Sequence, residues 1–317
     1  MSLPAADDST WAERWNRFWF TPVDPAPVGL LRGLTGLAVV LYLAAWSPRL
    51  TVWFGPTGLL PGDVVAELTG APWWQRSYFF LLHTPAALWT AHGIGLAVAC
   101  AMMFGWRSRF ATPLTLLVVL AFIHRVPLVV GLFESVLVLL LLYLSLAPSG
   151  AAFSVDAWRR RRRGGSFPRT SWSANVVLRL IQIHLAALVL LMATTKLAGD
   201  VWWDGMALWW LAARTETRLV DLTFLHQPPG FYLINLWTHL IVAIELAFPV
   251  LVWFRATRGL ACWLLFGELL SLVLVTGNLP LTLLFGVALL AFMPPGLPRA
   301  WWERLACRAA PALPQSD

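Results

Sequence analysis

Lys196 stands near the end of the apolar run Val176–Leu197, immediately ahead of Ala198-Gly-Asp-Val-Trp-Trp-Asp-Gly205. The run is long enough to cross a bilayer, and an ammonium at that depth is costly unless something uses it. An amine held out of water favours its neutral form, which can take a proton from a substrate. The competing reading is a lysine that snorkels from the helix end to the headgroups. Other polar groups could share a site with it. Gln182 lies fourteen residues earlier, about 40° round a helix from Lys196 and roughly 21 Å along it. His184 is about 160° round from Gln182 and faces elsewhere. His124 and Arg125 end another apolar run, and His239 follows Asn235 by four residues on the same helical face. His124 is the second candidate proton carrier, because imidazole titrates near neutrality. Gln182, Arg125, His239, Trp202 and Asp204 are the candidates to line a substrate site. The bland alternatives are equally open: histidines that cap helices or bond carbonyls, and Gln182 and His184 as hydrogen-bond partners between helices.

The elements that position these residues must be membrane helices. The chain has 317 residues, 59% of them hydrophobic and only 12% charged, with mean hydropathy +0.69; a soluble domain carries about 25% charge. Twenty tryptophans are present, many flanking apolar runs (Trp46, Trp53, Trp73, Trp74, Trp106, Trp158, Trp202, Trp203, Trp301, Trp302), where amphipathic rings favour the headgroup belt. The net charge of +7 is densest at Arg159–Arg163 beside an apolar run, which points to a topology determinant near anionic lipid and not to nucleic acid. Cys100, Cys262 and Cys307 have no paired spacing, so neither a disulfide framework nor a metal box is expected. Asp7, Asp8 and Glu13 precede the first apolar run, so the first membrane helix, not a cleaved leader, is expected to direct insertion.

The expected fold class is all-α: a polytopic integral membrane bundle of about eight transmembrane helices, six at the least, with both termini cytoplasmic. Residues 1–26, with Trp11, Trp15, Phe18 and Trp19 among Glu13, Arg14 and Arg17, form an amphipathic interfacial segment. Spans are expected at 27–46, 84–104, 111–125, 129–147, 174–195, 233–254, 259–276 and 278–293, within a transmembrane domain of 27–295, followed by a cytoplasmic tail of 296–317. That count puts fifteen basic residues on inner segments and six on outer ones, with Arg32 and Arg179 inside spans, as the positive-inside rule requires. Two outer segments are long. Residues 47–83 carry Gly55-Pro-Thr-Gly58, Pro61-Gly62 and Ala71-Pro-Trp-Trp74 as turns. Residues 197–232 carry the Trp-Trp-Asp-Gly stretch, a short interfacial helix at Met206–Ala213 and His226-Gln-Pro-Pro-Gly230. The outer face of the cell membrane is thus the expected working face.

Glu134, Glu245 and Glu268 lie inside spans, as do Arg32 and Arg179, and such charges could pair to hold a bundle together. The two arginines fall near inner ends, where snorkelling accounts for them. Glu134, at the outer start of its span, is the acid best placed to approach Lys196, and Glu245 or Glu268 could meet Arg179. No His-x-x-x-His or Glu-x-x-His pair occurs, so no metal is expected. A glycine-rich nucleotide loop, a Gly-x-Ser-x-Gly elbow and a Cys-x-x-Cys are all missing.

Three segments resemble a known family: Leu178-Arg-Leu-Ile-Gln-Ile-His184, Ala193-Thr-Thr-Lys-Leu-Ala-Gly-Asp-Val-Trp-Trp-Asp-Gly205, and Leu146-Ala-Pro-Ser-Gly-Ala-Ala-Phe-Ser-Val-Asp156. They are similar to the HTTM superfamily, the horizontally transferred transmembrane domain shared with vitamin K-dependent gamma-carboxylases. The likeness runs from about residue 10 to about residue 295, with Lys196-Leu-x-x-x-x-Trp-x-x-Gly205 its most specific piece. By this resemblance Lys196 matches the base proposed to deprotonate reduced vitamin K. Oxygen then gives a strongly basic intermediate that removes a glutamate gamma proton, the carbanion captures CO2, and the quinone leaves as its epoxide. The implied cofactor is reduced vitamin K or menaquinol, and the implied partners are membrane lipid, the quinone and a glutamate-containing peptide or accessory protein. Where the animal enzymes carry an Asn-His pair, this chain has Arg125-Val-Pro-Leu-Val-Val-Gly131, and His124 fits only with a shift of register. A large lumenal domain like theirs is not expected after the last span, so a protein substrate would dock on loops or come with a partner. The alternative is a non-catalytic lipid- or partner-binding bundle in which Lys196 pairs with Glu134 or Asp204 or faces headgroups. A transporter ranks last, because the inner span ends offer few polar groups besides arginine and no inverted repeat of broken helices is evident.

Overall fold

A computed structural model describes residues 10–70, 77–165 and 169–300. Residues 1–9 of the interfacial segment, the Ala71–Trp74 turn, and Trp301, Trp302 and Cys307 of the tail lie outside the described residues. Among those described the chain is helical, with no strand beyond an isolated bridge between Val23 and Ser171. In chain order the helices are α1 (Trp11–Phe20), α2 (Ala26–Trp46), α3 (Leu50–Phe54), α4 (Gly62–Thr69), α5 (Pro85–Phe104), α6 (Ser108–Arg125) and α7 (Leu132–Leu146). There follow α8 (Val155–Arg162), α9 (Trp172–Leu197), α10 (Asp200–Trp203), α11 (Ala207–Ala213), α12 (Gly230–Leu251), α13 (Arg258–Thr276) and α14 (Leu279–Leu289). Each of the eight expected spans overlaps one of these helices. Five stretches are long and apolar enough to cross a membrane: Ala26–Phe54, Pro85–Phe104, Trp172–Leu197, Gly230–Leu251 and Arg258–Thr276. Leu132–Leu146 and Leu279–Phe292 are apolar but shorter.

Local chemistry sets the ends. Thr10 and Glu13 form a reciprocal capping box on α1, as befits its polar setting. Thr84 accepts from Ala87 N–H at the start of α5, where Pro85 takes the first helical position. Pro113 lies inside a continuous α6.

The chain divides into two compact units, residues 1–129 with 138–180 and 293–317, and residues 130–137 with 181–292. In the first, α2 packs on α5 and α5 on α6. Close approach is possible because Gly36 faces the α5 backbone: a Cβ there would lie 2.6 Å from Met103 Cα. Arg32 corrects a sequence expectation. It does not snorkel but is fully buried, donating to the carbonyls of Met102, Met103 (3.0 Å), Ser149 (3.0 Å) and Phe153 (2.6 Å). Asp156 accepts from Arg107 N–H, Ser108 N–H and Ser108 Oγ at 2.9, 2.8 and 3.0 Å, satisfying the start of α6. The segment Leu146–Asp156 is therefore a joint between helix ends. Arg179 likewise lies over the Phe18 ring, 4.4 Å from its centroid. In the second unit α11, α12, α13 and α14 pack together, and Leu208, Ala212, Ile234, Ile241 and Val275 form a buried cluster.

Candidate functional site

Lys196 belongs to the last turn of α9. Trp203 Nε1 donates to Leu197 O at 2.7 Å, satisfying one of the carbonyls that the helix end leaves open. The chain then turns through α10 to Gly205, whose φ is +70°. A Cβ at Gly205 would run into the Asn235 side-chain amide and the His239 ring, so this turn seats directly on α12. Asn235 Nδ2 donates to Asp204 O at 3.0 Å. His239 sits with Nδ1 2.8 Å from Asn235 O and Nε2 3.3 Å from Trp203 O. Thus Asp204, Asn235 and His239 staple the turn after the lysine helix to α12, chiefly through backbone carbonyls.

The lysine itself reaches deeper. Its Nζ donates to Glu245 Oε1 at 2.5 Å and Oε2 at 2.7 Å, with side-chain exposures of 13% and 0%. The Trp202 ring centroid lies 5.3 Å from the ammonium, within cation–π range. Lys196 is therefore not a lone amine. Neither of the acids expected to meet it does so. Glu134 Oε2 instead accepts from Gly131 N–H at 2.8 Å, at the start of its own helix, and Asp204 is exposed. Nor does Glu245 need Arg179, since it already holds the lysine.

A second carboxyl accompanies the pair. Glu268 on α13 is 5% exposed, and neither of its oxygens has a hydrogen-bond partner. Among the described residues the charges that act on it are Glu245 and Lys196. Its turn is fixed by Ser271, whose Oγ donates to Glu268 O at 2.6 Å and accepts from Trp237 Nε1 of α12 at 2.9 Å. Two carboxyls and one ammonium thus share a largely dry interior, where an unmatched charge is expensive. The set can hold one proton more or fewer than the ion pair alone, and can oppose a developing negative charge with the ammonium.

Of the other predicted residues, Gln182 is buried in the same unit and donates from Nε2 to Ala291 O at 2.6 Å. Fourteen residues of α9 separate it from Lys196, so it serves a helix contact away from the cluster. His184 is exposed, in keeping with its different face. His124 and Arg125 belong to the first unit. His124 is exposed on α6. Arg125 is buried, donates from Nη2 to Gly55 O at 3.0 Å, and has its guanidinium 5.2 Å from the Phe80 ring centroid. Glu245 and Glu268 were legible as acids inside apolar runs but not as members of the lysine site. Helical side chains lean toward the N-terminus of their own helix. Lys196 consequently reaches back along α9 rather than outward from its end, and Glu245 reaches back along α12. Comparison of the chain with protein-family models, curated proteins and solved structures returned no match.

Proposed function

We propose that the chain crosses the membrane eight times with both termini in the cytoplasm, and that it is an integral membrane enzyme of the gamma-carboxylase type working through Lys196, Glu245 and Glu268. The observation that carries the reading is Glu268: a buried carboxyl with both oxygens unbonded, within electrostatic reach of an ion pair already complete. A structural pair needs no third ionisable group, and an unsatisfied buried polar group costs about 1–3 kcal/mol. Buried acids inside membrane helices mark proton paths and substrate sites by default.

In this reading a proton is accepted at Glu268 Oε1 or Oε2. Lys196 Nζ supplies the opposing positive charge, and Glu245 holds the ammonium in place. Lys196 is the cationic half of the base rather than a free amine. Trp202 is the aromatic surface next to that ammonium. By the sequence resemblance, the group supplying electrons and a hydroxyl proton would be reduced vitamin K or menaquinol, with oxygen, CO2 and a glutamate-containing peptide as co-reactants. Unbonded carboxyl oxygens in electrostatic reach of an ammonium suit a hydroxyl-bearing ring that arrives from lipid. The working face would be extracytoplasmic.

Purified protein given reduced vitamin K, oxygen and bicarbonate should form quinone epoxide, and Lys196→Ala and Glu268→Gln should not. No epoxide from the parent protein, or equal epoxide from all three, overturns the proposal. One observation favours a second reading: both Glu245 oxygens already engage Lys196, as they would in a non-catalytic lipid- or partner-binding bundle. That bundle would form no epoxide yet would still unfold more easily when the pair is broken.

A further inference from the structure

Far along the chain from the lysine site, the first unit contains a cavity of about 650 Å³, within the range of about 300–1,000 Å³ common for small-molecule sites. Its wall is apolar along Ala26, Phe104, Ala152, Val155 and Trp158, and its cations are Arg161 and Arg299. Arg161 projects from α8 amid five consecutive arginines, Arg159–Arg163. The acids nearby are already engaged. Asp156 is occupied by Arg107 N–H, Ser108 N–H and Ser108 Oγ. Asp24 accepts from Arg299 Nε and Nη2 at 2.6 and 2.9 Å and from Ala26 N–H at 2.9 Å. Buried Arg32 spends its donors on carbonyls, including that of Phe153 in the cavity wall. Among the described residues the local balance is therefore cationic, with no acid left to neutralise Arg161.

An apolar trough with a cationic rim, at the end of membrane helices, matches one ligand chemistry: a phosphate headgroup carrying acyl chains. We infer that this cavity holds the headgroup and upper chains of one anionic phospholipid, its phosphate on Arg161 and its chains against Phe104 and Trp158. Arginine suits this task because its fork of donors matches phosphate oxygens. Arg162, stacked 4.0 Å from the Trp158 ring centroid, holds that wall of the trough upright. The site differs from general attraction of a basic loop to the leaflet, because it places the ligand at one residue of the arginine run and not at its neighbours.

The test uses the full-length protein, delipidated in mild detergent and offered phosphatidylglycerol, phosphatidylcholine or inorganic phosphate, with bound molecules counted by native mass spectrometry. One phosphatidylglycerol should be retained per chain in preference to phosphatidylcholine. Arg161→Gln should weaken retention about fivefold, the worth of one basic residue near an anionic lipid. Arg159→Gln removes the same charge outside the cavity and should leave retention unchanged. Equal retention of the two lipids overturns the inference, as does equal loss from the two arginine variants. Displacement of the lipid by equimolar inorganic phosphate would show an anion site alone and overturn it too. Arg161 is exposed, so its variant is expected to fold, and a monodisperse elution profile checks that it has.

Discussion

Replacing Lys196 with methionine keeps most of the side-chain volume but leaves Glu245 and Glu268 as two buried carboxyls without a cation. Exposures of 13% and 0% mean that solvent screens the original pair little. Removing one partner of a buried pair costs about 3–5 kcal/mol in soluble proteins. Hydrogen bonds between membrane helices average about 0.6 kcal/mol, because the unfolded state in the membrane also finds partners. For Lys196→Met the expected loss is about 3 kcal/mol, toward the upper scale, because two acids are stranded rather than one. Glu245→Gln should cost about 1.5 kcal/mol, since the amide oxygen still accepts and Glu268 remains as a countercharge. The double variant should be less destabilised than the sum of the two by about 2 kcal/mol. Unfolding in mixed micelles with increasing dodecyl sulfate, followed by circular dichroism, measures all three. Additive effects within about 0.5 kcal/mol, or a larger loss for Glu245→Gln than for Lys196→Met, would refute the reasoning about which charge balances which.

Three further outcomes follow from the geometry. Gly205→Ala places a methyl group on the Asn235 amide at a φ of +70°, so it should cost about 1–3 kcal/mol in the same assay; an unchanged midpoint would show that the staple to α12 contributes nothing. Asp156→Ala removes three bonds at the start of α6 and should cost about 1–2 kcal/mol, with Asp156→Asn recovering part of the loss. The Thr223 hydroxyl first, then the Thr223 N–H and Arg218, hold the exposed Asp221 carboxyl below its ordinary range. Its folded-state value is depressed, so its contribution is present above the ordinary aspartate pKa and disappears as pH falls through the lowered one. Limited proteolysis of the 214–229 segment should accelerate on acidification in the parent protein but not in Asp221→Asn.

Helix positions were legible because apolar runs and their punctuation act locally. The Thr276-Gly-Asn-Leu-Pro280 break separates α13 from α14 as expected, through Gly277 at φ +66° and Asn278 accepting from Leu281 N–H. A short helix expected at Met206–Ala213 forms at Ala207–Ala213. Partner choice was not legible in the same way. Which acid meets Lys196 depends on the register of α9 against α12, and packing rather than either sequence run sets that register. Position along the runs puts Lys196 in the last turn of α9 and Glu245 well inside α12. The lean of both side chains toward their helix N-termini closes that gap. Arg32 was misread for a related reason: a charge near a span end suggests snorkelling, but helix-end carbonyls of Met102 and Met103 and of the 149–153 segment were waiting for a donor.

The most direct measurement of the central claim is infrared difference spectroscopy of the reconstituted protein on addition of reduced vitamin K or menaquinol. A carboxyl C=O band should change on addition, and that change should vanish in Glu268→Gln and shift in Lys196→Met. A silent carboxyl region, or a band change that survives Glu268→Gln intact, would contradict a proton-handling role for this cluster.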